Sequence, residues 1–383
     1  MSDCEVEHWL RASLPKQWLE FVEQGRSPGS PDLYDEFDEV TWLKSLFSTR
    51  YLMAAWPVEF GGLGWDGPKA LEGLDALARY EVPLPLYVTS LLLAGSGLLE
   101  YGSDEQRSRF LPKISSAEEI WCQLFSEPEA GSDLASLRTL AVADGDRWIV
   151  SGQKVWTTWA HMATWGILLA RTASPESRHS GITCFILGMG APGVDIRPLR
   201  QLTGDASFNE VFLNEVIIDD GMRLGPLNGG WSVARAVLQA ERGELGQRRV
   251  GGIDVHRLID RNRGIPDMVA RQRLAHAYAR DRILRIMSWR GYGTGGGALV
   301  VKLSRAEANM DLQTLACDLE GIGTVASDDS DTVRSEIRYG FLRSRANSIG
   351  GGTSEIMRNL IGERLLDLPR EPKLPPTNLG HDA

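Results

Sequence analysis

The chain has 383 residues, 43% of them hydrophobic and 24% charged, with a formal net charge of -10 at pH 7. That length exceeds one ordinary core and predicts two or three packed domains. The acidic balance excludes a general nucleic-acid binder, which needs a basic surface against phosphates, but a few local cations can still hold an anionic cofactor.

The four cysteines, Cys4, Cys122, Cys184 and Cys317, form no CxxC pair, and the six histidines show no HExxH or metal-ligand spacing. No metal site is expected, and the thiols suit a reducing, cytoplasmic compartment. The N-terminal run MSDCEVEHWLRASLPKQW is charged and has no long apolar core, so no signal peptide is expected there. No stretch approaches the ~20 apolar residues of a membrane span.

In chain order, residues 3 to about 116 read as helical. Trp42, Leu43, Leu46 and Phe47 give one apolar helix face. Residues 69 to 100 hold two further helical runs, separated at Pro83 and Pro85. A short charged helix follows over 104 to 116, with Ser103 as its N-cap. From about 120 the texture becomes short β-rich runs: WCQLF, LRTLAVA, RWIVSG, TWGILLAR, GITCFILG, VDIRPL and ASFNEVFLNEVIIDD. Asp144-Gly145 between two of them is a hairpin signal. The block predicts a small antiparallel barrel or sandwich ending near 220. From Trp231 the chain is helical again, interrupted by GYGTGGG at 291 to 297, which reads as a flexible connection rather than a phosphate loop because no GKS or GxGxxG follows. The tail after Pro369 is Pro-rich and polar and is expected to fray.

Four segments carry the chemistry. LFSEPEAGSD at 124 to 133 offers small residues for close main-chain approach, with Ser132 or Asp133 also able to cap a turn. GQKVWTT at 152 to 158 presents Trp156 and Thr158, where Trp156 either walls a ligand or fills core. WSVARAVLQAERGELG at 231 to 246 carries Glu241, Arg242 and Glu244, and Glu241 alone reads equally as an ion pair on an exposed face. SIGGGTSEIMRNLIGERLL at 348 to 366 is a glycine-rich entry to a helix.

These segments, with AWPVEFGG at 55 to 62 and NGGWSVA at 228 to 234, stand in an order that resembles the acyl-CoA dehydrogenase family across nearly the whole chain. The resemblance implies a mainly α fold with a middle β domain: an N-terminal helical domain over 1–118, a β domain over 119–224, a C-terminal four-helix bundle over 225–370 and a flexible tail over 371–383. It implies FAD, with Gln123, Phe125, Ser126, Ser132, Trp156, Thr158, Thr353 and Glu355 lining it. A partner subunit's Arg would reach the flavin pyrophosphate. The family's usual Arg-x-x-Phe-Gly run is missing, so Arg271 is the candidate and Arg263 the reserve.

The family's catalytic glutamate often stands in a Glu-Gly-Thr run, where this chain has Gly351-Gly352-Thr353. Other members, of the isovaleryl type or the heteromeric bacterial type acting on steroid side chains, carry it on the helix after the β domain, and there Glu241 stands, with Glu244 as fallback. Ser132, Arg242, Gly351 and Gly352 then border the substrate, with a backbone N–H near Gly351 on the thioester carbonyl. The implied activity is α,β-dehydrogenation of an acyl-CoA thioester, with reoxidation by an electron-transfer flavoprotein and assembly as a homotetramer or a heterotetramer with a sister chain. Three alternatives remain open: a flavin-poor subunit of a heteromeric dehydrogenase, a dehydrogenase of carrier-protein thioesters, and a flavin monooxygenase on the same fold.

Overall fold

The structure, a computed structural model, describes residues 5–24, 38–82, 84, 86–241, 252–290, 296–326 and 332–370. It begins with helices α1 (Glu5–Ser13), α2 (Lys16–Glu23), α3 (Glu39–Thr49), α4 (Gly67–Arg79), α5 (Leu86–Tyr101) and α6 (Asp104–Ser115). Their starts follow local capping chemistry. The Asp38 carboxylate accepts from Val40 N at 3.1 Å, and that of Asp66 from Lys69 N at 2.9 Å. Ser103 forms a reciprocal capping box with Gln106, as its position before the charged run predicts. Trp42, Leu46 and Phe47 are buried as the periodicity requires, and Trp42 stacks on Trp9 at 5.2 Å. Pro83 and Pro85 lie outside the described residues.

Eight strands follow: β1 (Trp121–Leu124), β2 (Leu140–Asp144), β3 (Arg147–Thr158), β4 (Trp165–Arg171), β5 (Ile182–Gly188), β6 (Val194–Leu199), β7 (Phe208–Asp219) and β8 (Arg223–Leu224). The sheet order is β6-β7-β3-β2-β4-β5-β8, with β1 on β4. The hairpin signal is realised between β2 and β3, where Asp144 pairs with Arg147 and Gly145 takes φ +62°. The sheet is mixed rather than wholly antiparallel. β1 runs parallel to β4 because the β2–β3 hairpin intervenes and returns the chain in the same direction.

The remaining helices are α7 (Gly230–Glu241), α8 (Val255–Arg261), α9 (Met268–Trp289), α10 (Gly297–Glu320), α11 (Gly323–Ala326), α12 (Thr332–Ser344) and α13 (Ser354–Leu365). α9 and α10 are antiparallel neighbours, with Arg273 paired to Asp318 at 2.6 Å and Arg280 to Asp311. α10 also packs against α12 and α13. The architecture is mainly helical with a middle sheet, as expected. Residues 291–295 of the glycine-rich connection, the tail over 371–383, Arg242 and Glu244 lie outside the described residues. No helix among the described residues is long and apolar enough to cross a membrane.

The N-terminal helices, the sheet and α7 share one core. Leu91, Leu98, Phe110, Trp121, Ile167, Ile186, Val233 and Val237 are all buried in it. α7 is seated on α5 and β5. Its first residue meets the sheet backbone directly: a Cβ at Gly230 would lie 2.6 Å from the Thr183 carbonyl carbon. Asn228 N, just before the helix, donates to Thr183 Oγ1 at 2.9 Å. Gly230→Ala is therefore expected to destabilise the fold by about 1–3 kcal/mol through overpacking. Urea unfolding of the variant beside wild type measures this.

A second device joins the loop after β1 to β3. Lys154 is fully buried, and its ammonium donates to Glu127 Oε1 at 2.8 Å and to the Phe125 carbonyl at 3.1 Å. The Glu127 carboxylate also accepts from Arg138 N at 2.6 Å and Thr139 N at 2.9 Å. Burial pushes the Lys154 ammonium down to about 8, against the pull of Glu127. Burial likewise opposes the charge on Glu127, but Lys154 and the hydrogen bonds from the Thr139 and Arg138 region outweigh it and hold that carboxyl below its ordinary 4.5.

Removing one partner leaves a buried charge unmatched. Glu127→Gln and Lys154→Met should each cost about 3–5 kcal/mol, and the double variant less than their sum. The folded-state value of Glu127 lies below its unfolded value, so its stabilisation is present above pH 4.5 and is lost as pH falls through the folded value. In urea melts across that range, wild-type stability should fall more steeply toward acid than that of the double variant.

Candidate active site

The two halves of one wall meet at β3. Glu127 and Lys154 fasten residues 125–127 to that strand, and Val155 N donates to the Ser126 carbonyl at 3.0 Å. Just beyond, the β3–β7 pairing slips between Lys154 and Thr157. Trp156 sits in that irregularity with φ +61°, a conformation bulky residues rarely adopt. Its indole is 60% exposed and meets the Phe208 ring edge-on at 6.0 Å. So Trp156 does not fill core; strained backbone turns it outward. Thr158 is half-buried on the same strand. The fully buried Asn209 stiffens this end: its Nδ2 donates to the Thr157 carbonyl at 2.9 Å, and its Oδ1 accepts from His161 Nδ1 at 3.0 Å.

Gln123 and Ser126 are half-buried beside this wall and Ser132 is exposed. The Phe125 side chain points into the core, so only its main chain can serve a ligand. Asp133 does not cap the turn that follows it; its carboxylate pairs with Arg178 at 2.7 Å. A buried arginine, Arg171, holds the same turn by donating to the carbonyls of Leu137 at 3.0 Å and Ala135 at 2.7 Å.

Phe208 connects the wall to the C-terminal helices. The Arg343 guanidinium of α12 lies 5.7 Å from its ring centroid. One turn earlier, Tyr339 bonds Asp205 of the loop before β7, and burial with that bond pushes its phenol up to about 12.

The glycine loop forms the other group. Gly351 and Gly352 have φ +67° and +101°, and a Cβ at Gly352 would come 2.5 Å from Met357 Cε, so glycine is required there. Thr353 caps α13, its hydroxyl accepting from Ile356 N at 3.2 Å. Glu355 is exposed and held below the usual carboxylate range by its own backbone amide first, then by the Thr353 hydroxyl, with Arg358 and Lys302 adding. The N–H groups of Gly351 and Thr353 find no main-chain acceptor among the described residues, and the buried Ser354 hydroxyl finds no partner.

Glu241 is the last residue of α7. Arg271 and Arg263 are both exposed, and Arg263 pairs with Asp260 at 2.8 Å. The α9–α10 ion pairs put Arg271 level with Glu320, eighteen positions along α10 from Lys302, whose ammonium bonds the Gly352 carbonyl. At ~1.5 Å rise per residue that is about 27 Å. Arg271 thus stands far from its own chain's glycine loop.

Sequence reasoning missed three residues that organise these groups. Lys154 was legible in principle, because Trp148, Val150 and Lys154 share the inward parity of β3 and an inward lysine demands an acid. Asn209 and Lys302 gave no comparable signal. Among the described residues no group of three or more His, Cys, Asp or Glu could hold a metal.

These groups fit a flavin. Trp156 offers an exposed flat face, Thr158 and Ser126 offer hydroxyls, and the glycine loop offers free amide donors. Three family models match in sequence: the acyl-CoA dehydrogenase N-terminal domain over 14–118, the middle domain over 122–220 and the C-terminal domain over 228–366. The chain is 36% identical over 381 residues to acyl-CoA dehydrogenase IpdE1 of Mycobacterium tuberculosis, covering 97% of this chain and 98% of that one. Among solved structures it is similar to the Tcur3481–Tcur3483 steroid ACAD, with TM-score 0.74, 26% identity and 96% of each chain covered. It is equally similar to the ChsE4–ChsE5 complex from Mycobacterium tuberculosis, with TM-score 0.74, 25% identity, and 96% and 97% of the two chains covered. The chain belongs to the acyl-CoA dehydrogenase family, and is an oxidoreductase of that class with FAD as its cofactor.

Proposed function

We propose that the protein carries out α,β-dehydrogenation of an acyl-CoA thioester to the 2-enoyl-CoA. One observation carries this reading beyond family membership: an exposed tryptophan, forced outward by left-handed backbone, stands on a strand locked to residues 125–127 by a buried ion pair. A surface held under strain in this way is a ligand wall. Trp156, Thr158, Ser126 and the main chain from Gln123 to Ser132 would hold FAD, with Thr353 and Glu355 on the far side. When bound, FAD supplies the acceptor for the hydride that leaves the β carbon.

The chain's own residues do the rest. Glu241 takes the α proton as general base. An amide N–H of the glycine loop receives the thioester carbonyl oxygen and stabilises the charge that grows there. Gly351, where many relatives have their glutamate, leaves that side of the substrate open. Ser132 borders the thioester.

The position of Arg271 supports assembly. An arginine about 27 Å along the hairpin from its own glycine loop can serve a flavin only in a neighbouring subunit. α9 also exposes Met268, Val269, Tyr278, Ile283 and Ile286, more apolar surface than a lone helix face keeps uncovered. In this reading a second copy or a sister chain covers α9, giving a homotetramer or a heterotetramer. Two similar structures are described as pairs of differently named chains, one of them a steroid ACAD. Steroid-derived acyl-CoA thioesters are therefore the first substrates to try, with an electron-transfer flavoprotein as acceptor.

The test is the visible spectrum of the purified chain, alone and with a co-expressed sister chain. Flavin absorbance that bleaches with an acyl-CoA is expected. Protein that cannot be loaded with FAD in either form would refute the reading. Glu241→Gln should lower turnover by at least ~10²-fold while flavin content and acyl-CoA binding stay near wild type. Normal turnover in that variant would remove Glu241 as the base.

A further inference from the structure

Lys302, in the second turn of α10, is only 8% exposed. Ala298, Leu299 and Val301 of the same helix are buried as well. The ammonium donates to two main-chain oxygens, the carbonyl of Gly352 and, at 3.3 Å, that of Asn347. These two carbonyls bracket residues 347–352, most of the connection from α12 into α13. A buried lysine is expensive to desolvate, and a surface loop needs none to close it. What the cation does here follows from peptide geometry. The C=O and N–H of one trans peptide point in opposite directions. With the Gly352 carbonyl drawn inward to Lys302, the Thr353 N–H of the same peptide must point away from the helix. That N–H has no main-chain acceptor among the described residues. At the other end of the loop the ammonium anchors the Asn347 carbonyl, within the 3-10 turn Arg345–Ser348. The charge itself acts at close range: Lys302 is among the groups that hold the Glu355 carboxyl down.

We propose that Lys302 is a positioning residue of the active site: through the carbonyls of Gly352 and Asn347 it aims the amide donors of the glycine loop at bound ligand, and its buried charge favours negative charge growing on the thioester oxygen. The proposal rests on the reading of this loop as the FAD and thioester segment. In relatives with a glutamate at position 351 a carboxylate enters this loop; here Gly351 brings none, so the field of Lys302 on the loop is not offset from that position.

The experiment compares wild type with Lys302→Arg, which keeps charge and donors, Lys302→Gln, which keeps a neutral donor, and Lys302→Met, which keeps neither. Wild type is measured first. If it neither loads FAD nor is bleached by any acyl-CoA, the functional reading fails and Lys302 is not the reason. Given an active wild type, each variant is saturated with FAD, and kcat and KM are followed with one acyl-CoA. FAD affinity of the apo chain is read by fluorescence and apo stability by thermal melt. Lys302→Met should lose at least about tenfold in kcat with KM within about threefold, the pattern of an interaction made only in the transition state. Lys302→Gln should fall between, and Lys302→Arg should stay within about threefold of wild type. A purely structural lysine gives another pattern, with melting temperature and FAD affinity falling together while kcat of the saturated enzyme is unchanged. That result overturns the proposal, as does an Arg variant as impaired as the Met variant. Should Lys302→Met fail to fold, Gln against Arg decides alone: equal kcat in both removes the role of the charge and the proposal with it.

Discussion

The ion pair of Lys154 and Glu127 is the constraint on which the site depends. A fully buried ammonium and a nearly buried carboxylate are held together by four short contacts to each other and to main chain. Neither group is tolerable in a core by itself. Their mutual need fixes where the loop after β1 runs, and so where Ser126 and Ser132 stand relative to β3. Hydrophobic burial cannot supply such a constraint, because it is nearly indifferent to a shift of an ångström along the strand. A two-point electrostatic lock is not.

From that lock the geometry propagates outward. With Lys154 pinned inward, the next residues slip out of register, and Trp156 is carried to the surface in left-handed backbone. Asn209 and His161 hold the far end of the slip. Phe208 then meets Trp156 on one side and Arg343 on the other, while Asp205 and Tyr339 tie the same loop to α12. The contacts that join sheet and bundle here are polar and aromatic, whereas α7 and α5 are bound to the sheet by apolar packing.

Much of the fold was legible in the sequence because its signals are local. Ser103 before a charged run states a helix start, Asp144-Gly145 a hairpin, and the short β-rich runs after 120 a sheet. The mixed character of the sheet was not legible, because parallel pairing between β1 and β4 is a property of the path between them and leaves no mark on either strand. In the site, the exposed indole at 156 and the glycines at 351 and 352 were readable from motif order. Of the groups that aim them, only Lys154 left a sign, its inward parity on β3. Lys302 looks like a surface lysine until the fold buries it, and Asn209 acts through two partners, one of them 48 residues away and the other 52. Long-range polar contacts carry no period, so no pattern along the chain announces them.

The left-handed backbone at Trp156 also sets stability against function at one residue. A bulky side chain at φ +61° raises the free energy of the fold by something on the order of 1–3 kcal/mol. Glycine there would relax the backbone and remove the wall together. Selection for thermal tolerance alone would drift toward that glycine, and selection for turnover would hold the tryptophan. On the proposed reading of Trp156 as the flavin's wall, a more robust protein and a working enzyme are different sequences at this residue. Consensus or stability-guided redesign of this chain should keep position 156 fixed and seek its gains elsewhere.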